Sequence, residues 1–178
     1  MGKIKEPPLV KLIASMFTAD KTLLAVAREA LVNRFGPIDY QSELLPFNHT
    51  SYYAREFGEG LVRQIIAFAE LIPPERLAET KRITNELEMT WVVDGRRRVN
   101  VDPGYVSLGK LVLATTKDYS HRIYLGQGIY AEVTLKYEHG SFRPWEWTYP
   151  DYASPQYREI FTEIRRIYAA QLRQTKSS

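Results

Sequence analysis

The densest run of reactive side chains is Thr115-Thr116-Lys117-Asp118-Tyr119-Ser120-His121-Arg122. Lys117 and Arg122 can pair with an anion, the arginine through two parallel N–H donors. His121 could act as a proton carrier. Thr115, Thr116 and Ser120 add hydroxyl donors. The cluster suits a phosphate or a carboxylate; the competing structural reading is a solvated connection with a side-chain-capped turn. His49-Thr50-Ser51-Tyr52-Tyr53 with Glu56 forms a second cluster. His49 and His121 together suggest a phosphodiesterase built on two H-x-[ST] motifs. His49-Thr50-Ser51 fits, but His121-Arg122-Ile123 fails because Ile123 has no hydroxyl. The third histidine, His139, sits in a Glu-His-Gly turn. No pair has HxH or HxxxH spacing, so no metal site is expected.

Asn100 and Asp102 stand two apart at a strand end and therefore share a face. Asp102-Pro103-Gly104 reads equally well as a turn that needs no ligand. Tyr105 follows it within Gly104-Tyr105-Val106-Ser107-Leu108-Gly109-Lys110, which matches GxxxxGK. A phosphate-binding loop would need Ser or Thr next, to reach Mg²⁺, and the chain has Leu111 there. The bulk of Tyr105, Val106 and Leu108 also opposes wrapping backbone amides around phosphate. A turn into the apolar segment Leu111 to Ala114 is the better reading. Arg96-Arg97-Arg98 could touch phosphates, although a solvated face in which one of the three pairs is the plainer account. Trp145, Trp147, Tyr149 and Tyr152 crowd a proline-braced segment, suited to stacking a ring or to packing on the core.

These residues need elements to position them. Val10 to Phe17 is apolar and short, a strand buried on both faces. Asp20 caps a helix carrying Leu24, Ala27, Leu31 and Phe35, which Gly36-Pro37 ends. Ile38 to Phe47 reads as an irregular edge strand because of Pro46. Residues 47–53 show neither period and read as a loop closed by Gly58 and Gly60. Leu61 to Leu71 is a strand. Pro73-Pro74 starts a helix through Leu77, Thr80, Ile83, Leu87 and Trp91. In its interior Asn85, a poor helix former, could reach across to the sheet. Arg98 to Val101 is the next strand.

The first hundred residues thus read β-α-β-β-α-β, the ferredoxin-like pattern of an antiparallel sheet with both helices on one face. Arg122 to Leu125 and Ile129 to Tyr137 flank Gly126-Gln127-Gly128 as a hairpin. Glu138-His139-Gly140 turns into Ser141 to Trp147. Ser154 and Pro155 open a final helix striped by Tyr157, Ile160, Phe161, Ile164, Ile167, Tyr168 and Leu172. The expected fold is a single α+β domain spanning residues 1–178: a ferredoxin-like first part, extended by a β-meander and closed by a C-terminal helix.

Composition narrows the chemistry. The chain has 178 residues, 44% hydrophobic and 25% charged, which is ordinary for one globular domain. A net charge of +3 is too small to argue for a nucleic-acid partner. Cysteine is absent, so disulfide frameworks, thiolate metal sites and thiol catalysis are excluded. The apolar run Leu9 to Phe17 is too short to span a bilayer. The N-terminus lacks a run of signal-peptide length, so a cytoplasmic protein is expected. No cofactor is named by any motif.

Several stretches resemble one bacterial family, catalogued as domain of unknown function 4416. They are Phe35-Gly36-Pro37-Ile38-Asp39, His49-Thr50 with Tyr52-Tyr53, Leu71-Ile72 with Thr84-Asn85-Glu86, Asn100 with Asp102 to Tyr105, Lys110 to Asp118, His121 to Leu125, and Trp147 to Tyr152. They keep a consistent order over nearly the whole chain. The family has no established activity, some members carry a GTP-binding label, and the resemblance hands over no catalytic residue.

Three functions are therefore expected, in this order. The first is binding of a small anionic molecule, phosphorylated or nucleotide-like, by Lys117, His121, Arg122, Asn100 and His49, with Asp102, Thr116, Ser120 and Tyr105 around them. The second is a hydrolase or transferase acting on that ligand, with His121 or His49 as general acid or base and Asp102 or Glu56 as orienter. The third is an interaction module that buries segment 145–152 against a partner or a second copy of the chain. The first two require positions 49, 100 and 121 to converge.

Overall fold

The structure, a computed structural model, describes residues 1–47 and 51–176, the side chains of 51, 52 and 176 excepted. Strand β1 (Val10–Thr18) leads into helix α1 (Lys21–Phe35). Asp20 caps the helix, its carboxylate accepting from the amides of Thr22 and Leu23 at 2.9 and 3.1 Å. Gly36 closes it at φ 92°. Two short strands follow, β2 (Ile38–Gln41) and β3 (Leu45–Pro46), then α2 (Ser51–Phe57) and the long strand β4 (Val62–Ile72). A 3-10 turn at Pro74–Arg76 feeds α3 (Leu77–Thr90). The rest is β5 (Val99–Val106), β6 (Lys110–Thr115), β7 (Arg122–Gly126), β8 (Ile129–Glu138), β9 (Ser141–Pro144), α4 (Pro150–Ala153) and α5 (Pro155–Lys176).

All nine strands form one antiparallel sheet, in the order β2-β4-β1-β5-β6-β8-β7. β3 lies beside β2 on β4, and β9 beside β7 on β8. β1 therefore sits between β4 and β5, the interleaving expected of β-α-β-β-α-β. One face carries α1 and α3: Leu12, Ala14 and Met16 of β1 pack on Leu24, Ala27 and Leu31, with Leu87 and Trp91 alongside. The other carries α4 and α5: Ile13, Ile65, Leu111, Leu135 and Phe142 pack on Tyr152, Tyr157, Phe161 and Ile164. With helices on both faces, β1 is buried along its whole length, which is why it reads as a continuous apolar run.

The structure corrects the sequence reading in three places. Residues 51–57, read partly as loop, form α2, because Tyr53 and Phe57 close an aromatic cluster with Phe17, Phe47 and Leu61; packing here overrides a weak helical pattern. The edge strand read over residues 38–47 is two strands. Between them the backbone lifts so that Ser42 accepts the Ile65 amide on its Oγ (3.0 Å) and Gln64 Nε2 on its carbonyl (3.0 Å). Asp102-Pro103-Gly104 is not a turn but the middle of β5. β6 pairs with β5 only over residues 104–106, so the outer edge at Pro103 asks for no N–H, and proline is tolerated there.

Burial raises the phenol pKa of Tyr40, Tyr105, Tyr152, Tyr157 and Tyr168 above the usual 10.0. A phenol that ionises more easily unfolded contributes stability that is complete below pH 10 and lost as pH rises through the folded value. Lys11, pushed below 10.5 by burial, acts in the opposite sense, but it is one group against five. The melting temperature should hold to about pH 10 and then fall, with tyrosinate absorbance rising in the same transition. Ionisation of all twelve tyrosines before unfolding would contradict this packing.

Candidate functional site

Two clefts collect the reactive side chains. The first opens where β1 enters α1, with an approximate volume of 360 Å³, lined by Thr18 to Asp20, Glu56 to Gly58, Val93 and Arg96 to Arg98. The arginines arrive on a two-residue turn. Val93 and Arg96 exchange both backbone hydrogen bonds at 3.0 Å, with Asp94 and Gly95 at φ 51° and 72°, the Asp-Gly pattern such turns demand. Arg97 faces inward. It holds both oxygens of Glu56, Nε to Oε1 at 2.6 Å and Nη2 to Oε2 at 3.0 Å, and donates to Glu88 at 3.2 Å. Arg98 pairs with Asp20 at 2.7 Å. Arg96 is exposed, and its side chain has no hydrogen-bond or ion-pair partner among the described residues.

Behind Arg97 lies a buried polar network. Arg97 Nη1 donates to Asn100 Oδ1 at 3.3 Å, Asn100 Nδ2 to Asp102 Oδ2 at 2.7 Å, and Lys81 Nζ to Asp102 Oδ1 at 3.1 Å. Lys81 also reaches the Val101 carbonyl at 3.2 Å, and Glu88 takes the Val101 amide at 2.6 Å. The cause is the sheet: among the described residues β5 has no strand beyond it at Val101, so α3 supplies the missing donor and acceptor from side chains. Asn85 does not make the cross-link considered for it; Glu88 and Lys81 do. Glu88 is 3% exposed, and burial pushes its carboxyl pKa up. The hydrogen bond from Arg97 pulls that of Glu56 down.

The second cleft, about 640 Å³, is lined by Ser120, His121, Glu146 and Trp147. Trp145, Trp147, His121 and Tyr119 stack in one row, with centroids 5.0, 5.3 and 6.0 Å apart. Arg122 covers Tyr119 at 4.4 Å and Lys136 covers Trp145 at 4.5 Å. Trp147 is fixed by its indole N–H to the Val133 carbonyl at 3.0 Å. The centre of the cluster is Glu132, 3% exposed. One of its oxygens meets His121 Nε2 at 2.9 Å and Arg122 Nε at 3.2 Å; the other accepts from Thr134 at 3.0 Å. The buried carboxylate thus fixes the orientation of the His121 ring.

The expected residues therefore fall into two groups. His121, Arg122 and Ser120 gather around Glu132 and Trp147. Arg122 is spent on Glu132 and on the Lys117 carbonyl at 3.0 Å, while Lys117 and Thr116 lie exposed in the connection ahead of it. Asn100 and Asp102 belong to the Arg97 network, together with Glu56. Among the described residues, neither Asn100 nor Asp102 has a hydrogen bond or ion pair with His121. Tyr105 points to neither cleft and packs beside Leu77 and Ala78 under α3. His49 lies outside the described residues. Gly104 to Lys110 is a β-hairpin, two strand ends joined at Ser107-Leu108-Gly109, and not a phosphate loop. Among the described residues no group of three or more His, Asp or Glu could hold a metal ion, and no helix is long and apolar enough to cross a membrane.

Sequence reasoning passed over Lys81 and Glu88. Their signal was present: Leu77, Lys81, Thr84 and Glu88 follow one another at helical spacing, so two charges sit on a buried stripe.

The architecture and clefts define a mixed α+β protein with one antiparallel sheet, helices on both faces, and an arginine-lined cleft at a strand-to-helix corner. The chain belongs to the family described as domain of unknown function (DUF4416), whose model matches residues 8–168. No curated protein and no solved structure matches it.

Proposed function

We propose that the chain binds a small anionic molecule, phosphorylated or nucleotide-like, in the cleft of Arg96, Arg97 and Arg98. One observation carries this reading: three consecutive guanidiniums line one concavity, and while Asp20 holds Arg98 and Glu56 and Glu88 hold Arg97, Arg96 has no such partner among the described residues. The same cleft lies beside the N-terminus of α1, where the Asp20 carboxylate already takes the first free amides and is itself held by Arg98. Its volume is at the low end for small-molecule sites. Arg96 is free to engage the anion directly. Arg97 is pre-oriented by Glu56 and Glu88, so the guest would take over donors already in place, displacing Glu56. Asn100 and Asp102 act behind Arg97 and hold its direction.

The cluster around His121 supports this reading less well, because Glu132 already engages both Arg122 and His121 and leaves neither side chain free for a guest.

The test is a thermal-shift and calorimetric titration with inorganic phosphate, pyrophosphate, sugar phosphates and nucleotides. At about 100 times the dissociation constant, a bound anion adds about 2.7 kcal/mol of stability. Arg96→Ala should leave the ligand-free melting temperature unchanged and weaken binding about ten-fold or more, the worth of one charge-assisted hydrogen bond. No shift with any of these anions, or a shift that survives Arg96→Ala combined with Arg98→Ala, would overturn the proposal.

A further inference from the structure

The two ends of the sheet are built differently. At one end β2 and β3 are four and two residues long. Asp39 there is tied to the buried Lys11 at 2.7 Å, and Pro37 and Pro46 interrupt the backbone donors. Short strands, charge and proline are the usual protections of a sheet edge. At the other end, β9 carries Pro144, and its Phe142 packs with α5. β7, on the same side of β8, is five residues long and has no proline; its one charge, Arg122, is turned back onto Glu132. Among the described residues it pairs only with β8, and Ile123, Tyr124 and Leu125 are 70%, 58% and 43% exposed. Consecutive residues on a strand point to opposite faces, so both faces of this strand and its free edge are open. From Arg122 to Ile129 the only charged side chain is Arg122, and Glu132 holds it. The single shift in the ladder falls at Tyr124 to Gly126, by the hairpin.

We propose that β7 pairs antiparallel with β7 of a second copy of this chain, about a two-fold axis at Tyr124, joining two nine-stranded sheets into one. The sequence of the edge is complementary to itself in that register. Ile123 stands opposite Leu125 of the partner subunit, Tyr124 opposite Tyr124 of the partner subunit, and Arg122 opposite Gly126 of the partner subunit. Aliphatic meets aliphatic, aromatic meets aromatic, and no like charges face each other; cross-strand pairs of these kinds stabilise a sheet. A two-fold axis requires this self-matching. A heterologous strand would have to match two apolar faces with no charge to read. Two five-residue strands bury less than the roughly 1,000 Å² of a stable specific interface, so the dimer is weak and dissociates on dilution. The pairing is independent of the arginine cleft.

Sedimentation equilibrium over a concentration series tests it. The mass should climb from 20.6 kDa toward twice that value. Ile123→Lys, at an exposed position, should keep the protein monomeric throughout with an unchanged melting temperature in dilute solution. Because the chain has no cysteine, Tyr124→Cys should form a disulfide-linked dimer on mild oxidation, and Val93→Cys, at the arginine turn, should not. A wild-type mass that stays at one chain over the whole series overturns the proposal. So does a dimer that persists in Ile123→Lys, or equal cross-linking through position 93.

Discussion

Arg63→Ala should cost about 3–5 kcal/mol of folding stability, the loss expected when one member of a buried ion pair is removed. Arg63 stands on β4, opposite Phe17 and Leu45, with a side chain 5% exposed, and meets Asp151 of α4 at 2.5 Å. Phe47 lies 4.0 Å from the guanidinium carbon, and Phe17, Tyr152 and Tyr157 lie 5.5 to 5.8 Å away. Truncation strands Asp151, 10% exposed, against aromatic walls, and opens a void among rings that cannot collapse freely. Arg63→Met with Asp151→Asn removes both charges and refills most of the space. That double variant should recover the greater part of the loss, since a buried pair often does little better than apolar isosteres. Urea unfolding of the two variants checks this. A loss below about 1 kcal/mol for Arg63→Ala would mean the pair is worth no more than a surface one.

Arg63 also shows where the sequence stops being legible. The interleaved β-α-β-β-α-β order could be read because its punctuation is local: Asp20 before α1, Gly36-Pro37 after it, Pro73-Pro74 before α3, and glycine at the hairpin 126–128. Each sets a cap or a φ value within a few residues. The helices themselves could be read from their apolar stripes, but not that α5 covers the face opposite α1 and α3. The polar chemistry was not local. Arg97 meets Glu56 41 residues away, Arg63 meets Asp151 88 residues away, and Lys11 meets Gln171 160 residues away. Nothing in a run such as Val10 to Thr18 shows that its lysine ends in a buried triad with Asp39, Gln171 and the Phe68 carbonyl. The pairing of His121 with Glu132 sits between these cases. The two lie 11 residues apart across the hairpin that 126–128 announces, and Arg122↔Glu132 is in register on it. That contact could have been drawn from the turn and the strand alternation alone.

The same register explains why Gly104→Ala should be among the most damaging single substitutions in the chain. Gly104 pairs with Ile13 on one side and Leu113 on the other. A Cβ there would stand 2.3 Å from the Val112 carbonyl oxygen and 2.8 Å from a Leu113 methyl. The nearer atom is backbone in the sheet, so it cannot swing away; β5 and β6 would have to part where their pairing begins. Overpacking of a tight interior costs about 1–3 kcal/mol and more when backbone must move, so about 3 kcal/mol or greater is expected. Gly109→Ala is the control, because a Cβ there meets nothing within 4 Å. The two glycines are the fixed positions of the GxxxxGK match, which makes the pair a functional discriminator. In a phosphate-cradling loop, both substitutions would weaken nucleotide binding while the fold survived. In a β-hairpin, Gly104→Ala lowers the melting temperature steeply, Gly109→Ala barely does, and anion affinity at the arginine cleft is untouched by Gly109→Ala. Melting curves with and without nucleotide, recorded on both variants, separate the two accounts: loss of binding in a fully stable Gly109→Ala protein would return the phosphate site to residues 104–110.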